Sequence, residues 1–245
     1  MKILVCLGNV PDTTTKIKLA GDKPDLNNIQ WVINPWDELA LTRAMELKED
    51  GGNSVDKVSV ATVGQISAEP TMRKALAIGA DDAFRIDTEA TDAYFTAMQL
   101  AQVAKDFDVV ITGIESSDYN GMSVGGMLAE ALGFTSVSAV SSLKIEGDNI
   151  SVTRDIDGGK ELISIDSPVV LTVQKGIALD PRIPAMRGIM MARRKPLNVI
   201  PAAEVENLTE IISYEMPEAK GACKMVDADN VGELVELLRN DAKVI

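Results

Sequence analysis

The sequence contains no histidine in its 245 residues. Without an imidazole, the chain cannot build a Ser-His-Asp or Cys-His catalytic centre or a histidine-ligated metal site. Its two cysteines, Cys6 and Cys223, are too few and too far apart for a disulfide framework or a cysteine-ligated cluster. We therefore expect no catalytic residue and no metal site, and any redox chemistry would have to come from a bound cofactor.

Long apolar runs and basic residues are also scarce. No run approaches the roughly 18 to 20 apolar residues that a membrane-spanning helix needs. The 24 Lys and Arg residues face 37 Asp and Glu, a formal net charge of -13, which argues against nucleic-acid binding because that requires a basic face. Met1 leads directly into the apolar run 3–7, which predicts a strand rather than a targeting leader, and we expect a cytoplasmic protein.

Short β-type segments alternate with helical segments through the first half of the chain. The predicted strands are 2–7, 58–63, 83–86 and 108–113, and the predicted helices are 36–49, 68–78, 91–105 and 122–132. Such alternation produces a mostly parallel sheet covered by helices on both faces. We therefore predict a three-layer α/β fold.

The second half is predicted to add antiparallel strands and a tail. Residues 143–146 and 149–154 alternate around Gly147-Asp148 as in a β-hairpin, and further strands follow at 161–165 and 168–173. A basic, proline-punctuated excursion runs from 182 to 200, and one amphipathic helix is expected at 227–243. We place the main α/β domain at 1–200 and a C-terminal arm with its helix at 201–245.

The loop 113–126, Gly-Ile-Glu-Ser-Ser-Asp-Tyr-Asn-Gly-Met-Ser-Val-Gly-Gly, is the richest candidate for a binding site. It follows a predicted strand, and ligands of open parallel sheets bind beyond the carboxyl ends of the strands. Its glycines allow close approach of a ligand, and the next helix would aim the free N–H groups of Met122, Ser123 and Val124 at a phosphate. By spacing alone, the pattern fits a phosphate site and a simple tight loop equally well.

The segment 182–195 is locally basic and rich in methionine within an acidic chain. Methionine-rich segments suit adaptable contacts with other proteins. We expect such contacts for the stretch up to Met186. Ile189 and Met190 are expected to pack into the core instead.

Several segments, in this order, resemble the β (small) subunit of electron-transfer flavoproteins, and the resemblance runs nearly end to end. They are Asn34-Pro35-Trp36-Asp37-Glu38, the run 73–81, the loop 113–126, Arg154-Asp155-Ile156-Asp157-Gly158-Gly159, Pro181-Arg182 and the run 189–196. The resemblance implies a sheet of the adenine-nucleotide α-hydrolase-like type. It also implies a heterodimer with a larger α subunit, which holds most of the electron-carrying FAD and which the C-terminal arm contacts.

The same resemblance implies a structural AMP in this subunit and a docking segment for partners. Carried over by position, the AMP-facing residues would be Cys6, Asn34, Pro35, Trp36, Asp37, Val63, Gly113, Asp118, Gly121, Met122, Ser123 and Val124. A recognition loop at about 181–191 would dock flavin dehydrogenases through Pro181, Arg182, Met186 and Ile189, with Met186 as the apolar anchor. Electrons would pass on to an acceptor such as a quinone oxidoreductase.

The loop sequence leaves two nucleotides open. AMP-binding members of the family carry an Asp-rich, Asn-Gln-Thr-Gly loop, whereas this chain reads Asp118-Tyr119-Asn120-Gly121-Met122-Ser123-Val124-Gly125. Electron-bifurcating relatives, which hold a second FAD instead, share Asp118 and Val124-Gly125 but have a Gly-Asp-Thr-Ala-Gln middle that is absent here. We expect AMP, with FAD as the alternative. A stand-alone nucleotide-binding sensor is the alternative from another class, and the excursion at 182–196 argues against it.

Overall fold

The computed structural model describes residues 1–50 and 55–245. Its strands are β1 (Lys2–Cys6), β2 (Asn9–Pro11), β3 (Leu19–Ala20), β4 (Lys23–Pro24), β5 (Trp31–Ile33), β6 (Lys57–Val63), β7 (Asp82–Asp87), β8 (Val109–Gly113), β9 (Thr135–Glu146), β10 (Asn149–Ile156), β11 (Gly159–Ile165), β12 (Val169–Val173) and β13 (Leu197–Pro201). Its helices are α1 (Pro35–Glu49), α2 (Glu69–Ile78), α3 (Ala93–Ala104), α4 (Val124–Leu132), α5 (Met186–Ala192) and α6 (Val231–Glu236).

One nine-stranded sheet, in the order β11-β10-β9-β12-β8-β1-β6-β7-β13, dominates the described residues. Neighbouring strands pair in parallel throughout the part of the sheet that runs β9-β12-β8-β1-β6-β7-β13. Strand β10 pairs antiparallel with both β9 and β11. The predicted α/β fold with a mostly parallel sheet and an added hairpin is therefore confirmed. The hairpin turns at Gly147, whose φ of 62° is a left-handed conformation that glycine adopts without strain.

The sheet has a hydrophobic layer on each face, and the alternation of β1 shows why. Ile3 and Val5 pack with buried side chains of α1 and α2, whereas Leu4 and Cys6 point to the opposite face and pack with α3 and α4. Successive side chains of a strand point to opposite faces, so a strand buried on both sides must be apolar throughout. This is the reason that the central strands read as continuous apolar runs.

Strand order reverses between β1 and β8. From β1 the chain builds outward through β6 and β7, and it then returns to place β8 on the other side of β1. The loops after β1 and β8 consequently diverge to opposite faces of the sheet and leave a crevice between them. This crevice is where a ligand site is expected in an open parallel sheet.

Three elements differ from the sequence-based expectation. Helix α4 begins at Val124 rather than Met122, because Met122 adopts a left-handed φ of 51° that an α-helix cannot contain. The tail forms only the short α6 followed by a π-helical turn at Leu237–Asp241, not one helix over 227–243. The excursion ends in a strand, β13, which pairs in parallel with β7 at the sheet edge.

The described chain divides into two compact units. One comprises Met1–Ile17 and Leu26–Ile212 and contains the nine-stranded sheet. The other comprises Lys18–Asp25 and Ser213–Ile245 and contains the β3–β4 hairpin and α6. The functional division into 1–200 and 201–245 remains our proposal.

Candidate functional site

A cavity of about 250 Å3 lies at the carboxyl ends of β1 and β8, where the strand order reverses. Segments after four strands surround it, together with the start of α1. The lining residues are Cys6, Leu7, Gly8, Asn9, Val10, Asn34, Asp37, Val63, Ala90, Thr91, Asp92, Ala93, Thr96, Leu100, Thr112, Gly113, Ile114, Glu115, Ser116, Asp118, Tyr119, Gly121, Met122, Ser123, Val124 and Gly125.

Ten of the twelve residues predicted to face a nucleotide line this cavity. The exceptions are Pro35 and Trp36. Pro35 is the first residue of α1, where its missing N–H costs no hydrogen bond. Trp36 lies behind the cavity wall, since a β-carbon added to Gly113 would sit 2.6 Å from the Trp36 Cβ.

The buried carboxylate of Asp37 joins the two loops that form the crevice. Its Oδ2 accepts the Gly8 N–H after β1, and its Oδ1 accepts the Gly113 N–H at the end of β8, each at 2.7 Å. Burial raises the pKa of the Asp37 carboxyl to about 6, although these two hydrogen bonds oppose the rise. Asp37 therefore fixes the distance between the two loops.

Asn34 adds a second brace beside Asp37. Its backbone N–H donates to the Gly8 carbonyl at 2.9 Å, and its side-chain Nδ2 donates to the Glu115 carbonyl at 2.8 Å. Its Oδ1 accepts the Ser117 N–H at 3.1 Å. The Asn-Pro-Trp-Asp motif thus shapes the cavity through loop contacts, and only Asn34 and Asp37 reach its surface.

The start of α4 is pressed against the sheet. A β-carbon on Gly125 would lie 2.1 Å from Thr172 Cγ2 and 2.8 Å from Thr112 Oγ1, so only glycine fits there. Ser123 precedes the helix, and its hydroxyl donates to the Gly121 carbonyl at 2.6 Å. The unpaired N–H groups of the first turn belong to Val124, Gly125 and Gly126, two residues later than predicted.

The charges of the lining are negative or absent. None of the lining residues, all in the described part of the chain, is a lysine or arginine. Asp37 accepts the two bonds given above, Asp118 accepts the Ser116 hydroxyl at 2.6 Å, and Asp92 caps α3 by accepting the Phe95 N–H at 2.7 Å. An anion in this cavity would have to be held by backbone N–H groups and hydroxyls.

Sequence reasoning missed the wall formed by residues 90–93 between β7 and α3. Asp92 has a second function there, because its Oδ2 accepts the N–H groups of Leu208 at 2.6 Å and Thr209 at 2.9 Å. The Phe95 N–H contributes most to lowering the pKa of Asp92. The available signal was Thr91-Asp92 at the start of the predicted helix 91–105, where aspartate is a favoured N-cap residue. The segment before this helix also follows a predicted strand, as the other site loops do.

Cys6 lies at the cavity floor in the apolar layer under α3. Burial raises the pKa of its thiol, so the sulfur stays protonated near neutral pH and is a poor nucleophile. Cys6 can therefore offer a ligand a hydrophobic contact.

The predicted docking residues lie apart from the cavity lining. Met186 starts α5 and is 79% exposed, while Arg182 pairs with Glu49 at 2.7 Å and donates its backbone N–H to the Thr42 hydroxyl. The expectation that Ile189 and Met190 are core residues is wrong, since they are 44% and 74% exposed. In this seven-residue helix only the side chain of Ala192 is buried.

Comparison with known proteins gives the family of the chain. The electron transfer flavoprotein domain family matches residues 26–205, most of the chain. The chain belongs to the electron transfer flavoprotein family. The β subunit from Syntrophomonas wolfei is 33% identical over 250 residues, which covers all of this chain and 98% of that protein. The β subunit from Bacillus subtilis is also 33% identical, with both chains covered fully.

The family extends to a mitochondrial β subunit from Arabidopsis thaliana, 28% identical over the full length of both chains. The β-subunit resemblance found in the sequence motifs is therefore confirmed. As a flavoprotein-family member, the chain is associated with flavin-based electron transfer. Across residues 1–50 and 55–245, no helix is long and apolar enough to cross a membrane.

Proposed function

We propose that this chain is the AMP-binding subunit of a heterodimeric electron carrier. In that role it helps to position the FAD of an α subunit and docks the flavin dehydrogenases that supply electrons. The observation that carries the proposal is the cavity at the strand-order reversal, with the first turn of α4 at its wall. The full-length similarity to β subunits supports it.

The phosphate of the nucleotide would lie at the first turn of α4. Val124 and Gly125 line the cavity, and the N–H groups of a helix's first turn have no partner within the helix. Gly125 allows this turn to sit directly over β8 and β12. The Thr112 hydroxyl oxygen is buried beneath it without a hydrogen-bond partner in the described chain, which a polar ligand group could supply.

The nucleoside would occupy the rest of the cavity. Apolar side chains, among them Val10, Val63 and Leu100, offer a surface for a flat base. The carboxylates of Glu115 and Asp118 can accept hydrogen bonds from ribose hydroxyls, which do not repel them as a phosphate would. Tyr119, 59% exposed at the rim, would cover the base.

The size of the cavity favours AMP over FAD. The volume of about 250 Å3 lies just below the range of ligand sites for drug-sized molecules, roughly 300 to 1,000 Å3. FAD contains an entire AMP unit and a flavin mononucleotide unit besides, so it would need a larger space. A second FAD, as in electron-bifurcating relatives, is the alternative.

The electron-transfer part of the proposal concerns the complex. FAD held mainly by the α subunit would supply the redox chemistry, and this chain would contribute shape and contacts. The exposed Met186 and its neighbours on α5 would contact the dehydrogenase, and a quinone oxidoreductase or similar acceptor would receive the electrons in the cytoplasm. The C-terminal arm, 201–245, would contact the α subunit.

Co-expression with an α subunit tests the carrier role. We expect a yellow heterodimer that elutes as one species and bleaches on reduction, whereas the chain expressed alone should be colourless and less stable. A stable partner-free chain that holds ATP and forms no complex would contradict the proposal. The flavin absorbance per heterodimer, measured after gel filtration, is the quantity to compare.

A further inference from the structure

Helix α5 is too short and too exposed to hold its own shape. It has seven residues, Met186–Ala192, of which only Ala192 is buried. Isolated helices of this length are marginal in water even when their residues favour helix. The conformation of α5 must therefore be imposed by what it contacts, and its contact is α2.

Arg73 of α2 holds the end of α5. Its guanidinium Nη1 donates to the Ala192 carbonyl at 2.8 Å and to the Lys195 carbonyl at 2.9 Å. The last carbonyls of a helix have no partner within the helix, and a cation there also complements the helix dipole. Arg73 is thus a C-terminal cap supplied to α5 by another helix.

Lys195 does the same for α2. Its ammonium lies partly buried at the C-terminus of α2, where it donates to three carbonyls, those of Leu76 at 3.0 Å, Gly79 at 3.0 Å and Ala80 at 2.6 Å. All three donors of the ammonium are used, which leaves it one geometry. Helix α2 therefore supplies a cation to the end of α5, and the segment that follows α5 supplies one to the end of α2.

The two helices also touch through their backbones. A β-carbon on Gly188, in the middle of α5, would lie 2.3 Å from the Ala77 carbonyl oxygen of α2. The distance between the helices is therefore fixed where they cross. Immediately after Lys195 the chain enters β13, and the Pro196 carbonyl accepts the Ala83 N–H at 3.0 Å.

We propose that Arg73 and Lys195 are positioning residues that form a reciprocal capping lock between α2 and α5. The lock holds α5 in one orientation, so that Met186 and Met190 are presented as a preformed surface. A partner that binds a preformed surface does not have to order it, which favours association. Its use for docking rests on the function proposed above, whereas the lock itself does not.

Hydrogen exchange of the purified heterodimer tests the lock. Lys195→Met and Arg73→Met should speed amide exchange in 186–192 by about tenfold or more, since each removes charge-assisted hydrogen bonds. Arg194→Met is the matched control, because Arg194 is an exposed cation of the same segment whose side chain makes no hydrogen bond or ion pair within the described chain. Peptides from 109–113 report whether the sheet stays intact.

Exchange in 186–192 that is equal in Lys195→Met and Arg194→Met would overturn the lock. The docking role of α5 is tested separately from the lock, by a steady-state assay with a dehydrogenase that reduces the unmodified complex. We expect Lys195→Met to raise the KM for the heterodimer severalfold with unchanged flavin content. If exchange rises while KM stays the same, the lock stands and the proposed docking role of α5 falls.

Discussion

Gly125 and Gly126 are neighbours in the first turn of α4, yet the same substitution should have opposite effects at the two positions. An alanine β-carbon at Gly125 would lie 2.1 Å from Thr172 Cγ2, against an ordinary carbon–carbon contact of about 3.5 to 4.0 Å. At Gly126 nothing lies within 4 Å of the added carbon. The pair therefore compares identical chemistry in a closed and an open environment.

The magnitudes follow from the contacts. Thr172 is buried and β-branched, so its side chain has little freedom to move, and the Thr112 oxygen at 2.8 Å blocks a second direction. Helix α4 must then retreat from the sheet, and overpacking of this kind costs about 1 to 3 kcal/mol. Gly126→Ala should instead stabilise the helix by about 0.5 to 1 kcal/mol, because alanine loses less backbone entropy on folding.

Urea unfolding of both variants measures these differences in unfolding free energy. In thermal unfolding, each kcal/mol corresponds to a shift in Tm of roughly 2 to 4 °C for a chain of this size. If α4 also forms the phosphate site, purified Gly125→Ala heterodimer should retain less nucleotide than Gly126→Ala. Equal stabilities of the two variants would refute the reasoning that the helix start is wedged against β8 and β12. Full nucleotide retention in Gly125→Ala would contradict the placement of the phosphate at the start of α4.

Two further predictions concern Asp37 and the docking segment. Burial raises the pKa of Asp37 from 3.8 to about 6, so its ionisation between about pH 4 and 7 costs the folded protein up to roughly 3 kcal/mol. Asp37→Asn removes this cost and one hydrogen-bond acceptor. Its deficit in unfolding free energy should therefore be largest below about pH 4 and shrink as the pH rises through about 6. A pH-independent deficit would contradict the assignment. Met186→Ala should slow reduction of the heterodimer's flavin by the dehydrogenase, with flavin content unchanged. The control Leu162→Ala, at a residue of β11 that is 77% exposed, should leave the rate of reduction unchanged. Equal rates for the two variants would reject the docking role.

Much of the fold could be predicted because its signals are local. The central strands are apolar throughout since both faces of the sheet are covered, and α2 and α4 end at Gly79 and Gly133 as their sequences indicate. The site could be located because glycines and polar residues follow the strands at one edge of the sheet. These features require no knowledge of distant contacts.

The missed features depend on contacts that are distant in sequence. Strand β13 pairs with β7, which lies more than a hundred residues earlier in the chain. Its sequence, Leu-Asn-Val-Ile-Pro, does not alternate between apolar and polar residues clearly enough to predict a strand. The left-handed φ of Met122 is a conformation that methionine rarely adopts, so its residue type gives no warning that α4 begins later. The exposure of Ile189 follows from how α5 lies on α2, which periodicity over seven residues cannot reveal.

The nucleotide content of the purified heterodimer tests the central claim most directly. Acid release followed by chromatography and mass analysis would identify and count the bound nucleotides. The size of the cavity and its backbone phosphate site predict AMP and FAD in equal amounts, with AMP in this subunit. Two FAD and no AMP per heterodimer would contradict that account and assign the cavity to a second flavin nucleotide.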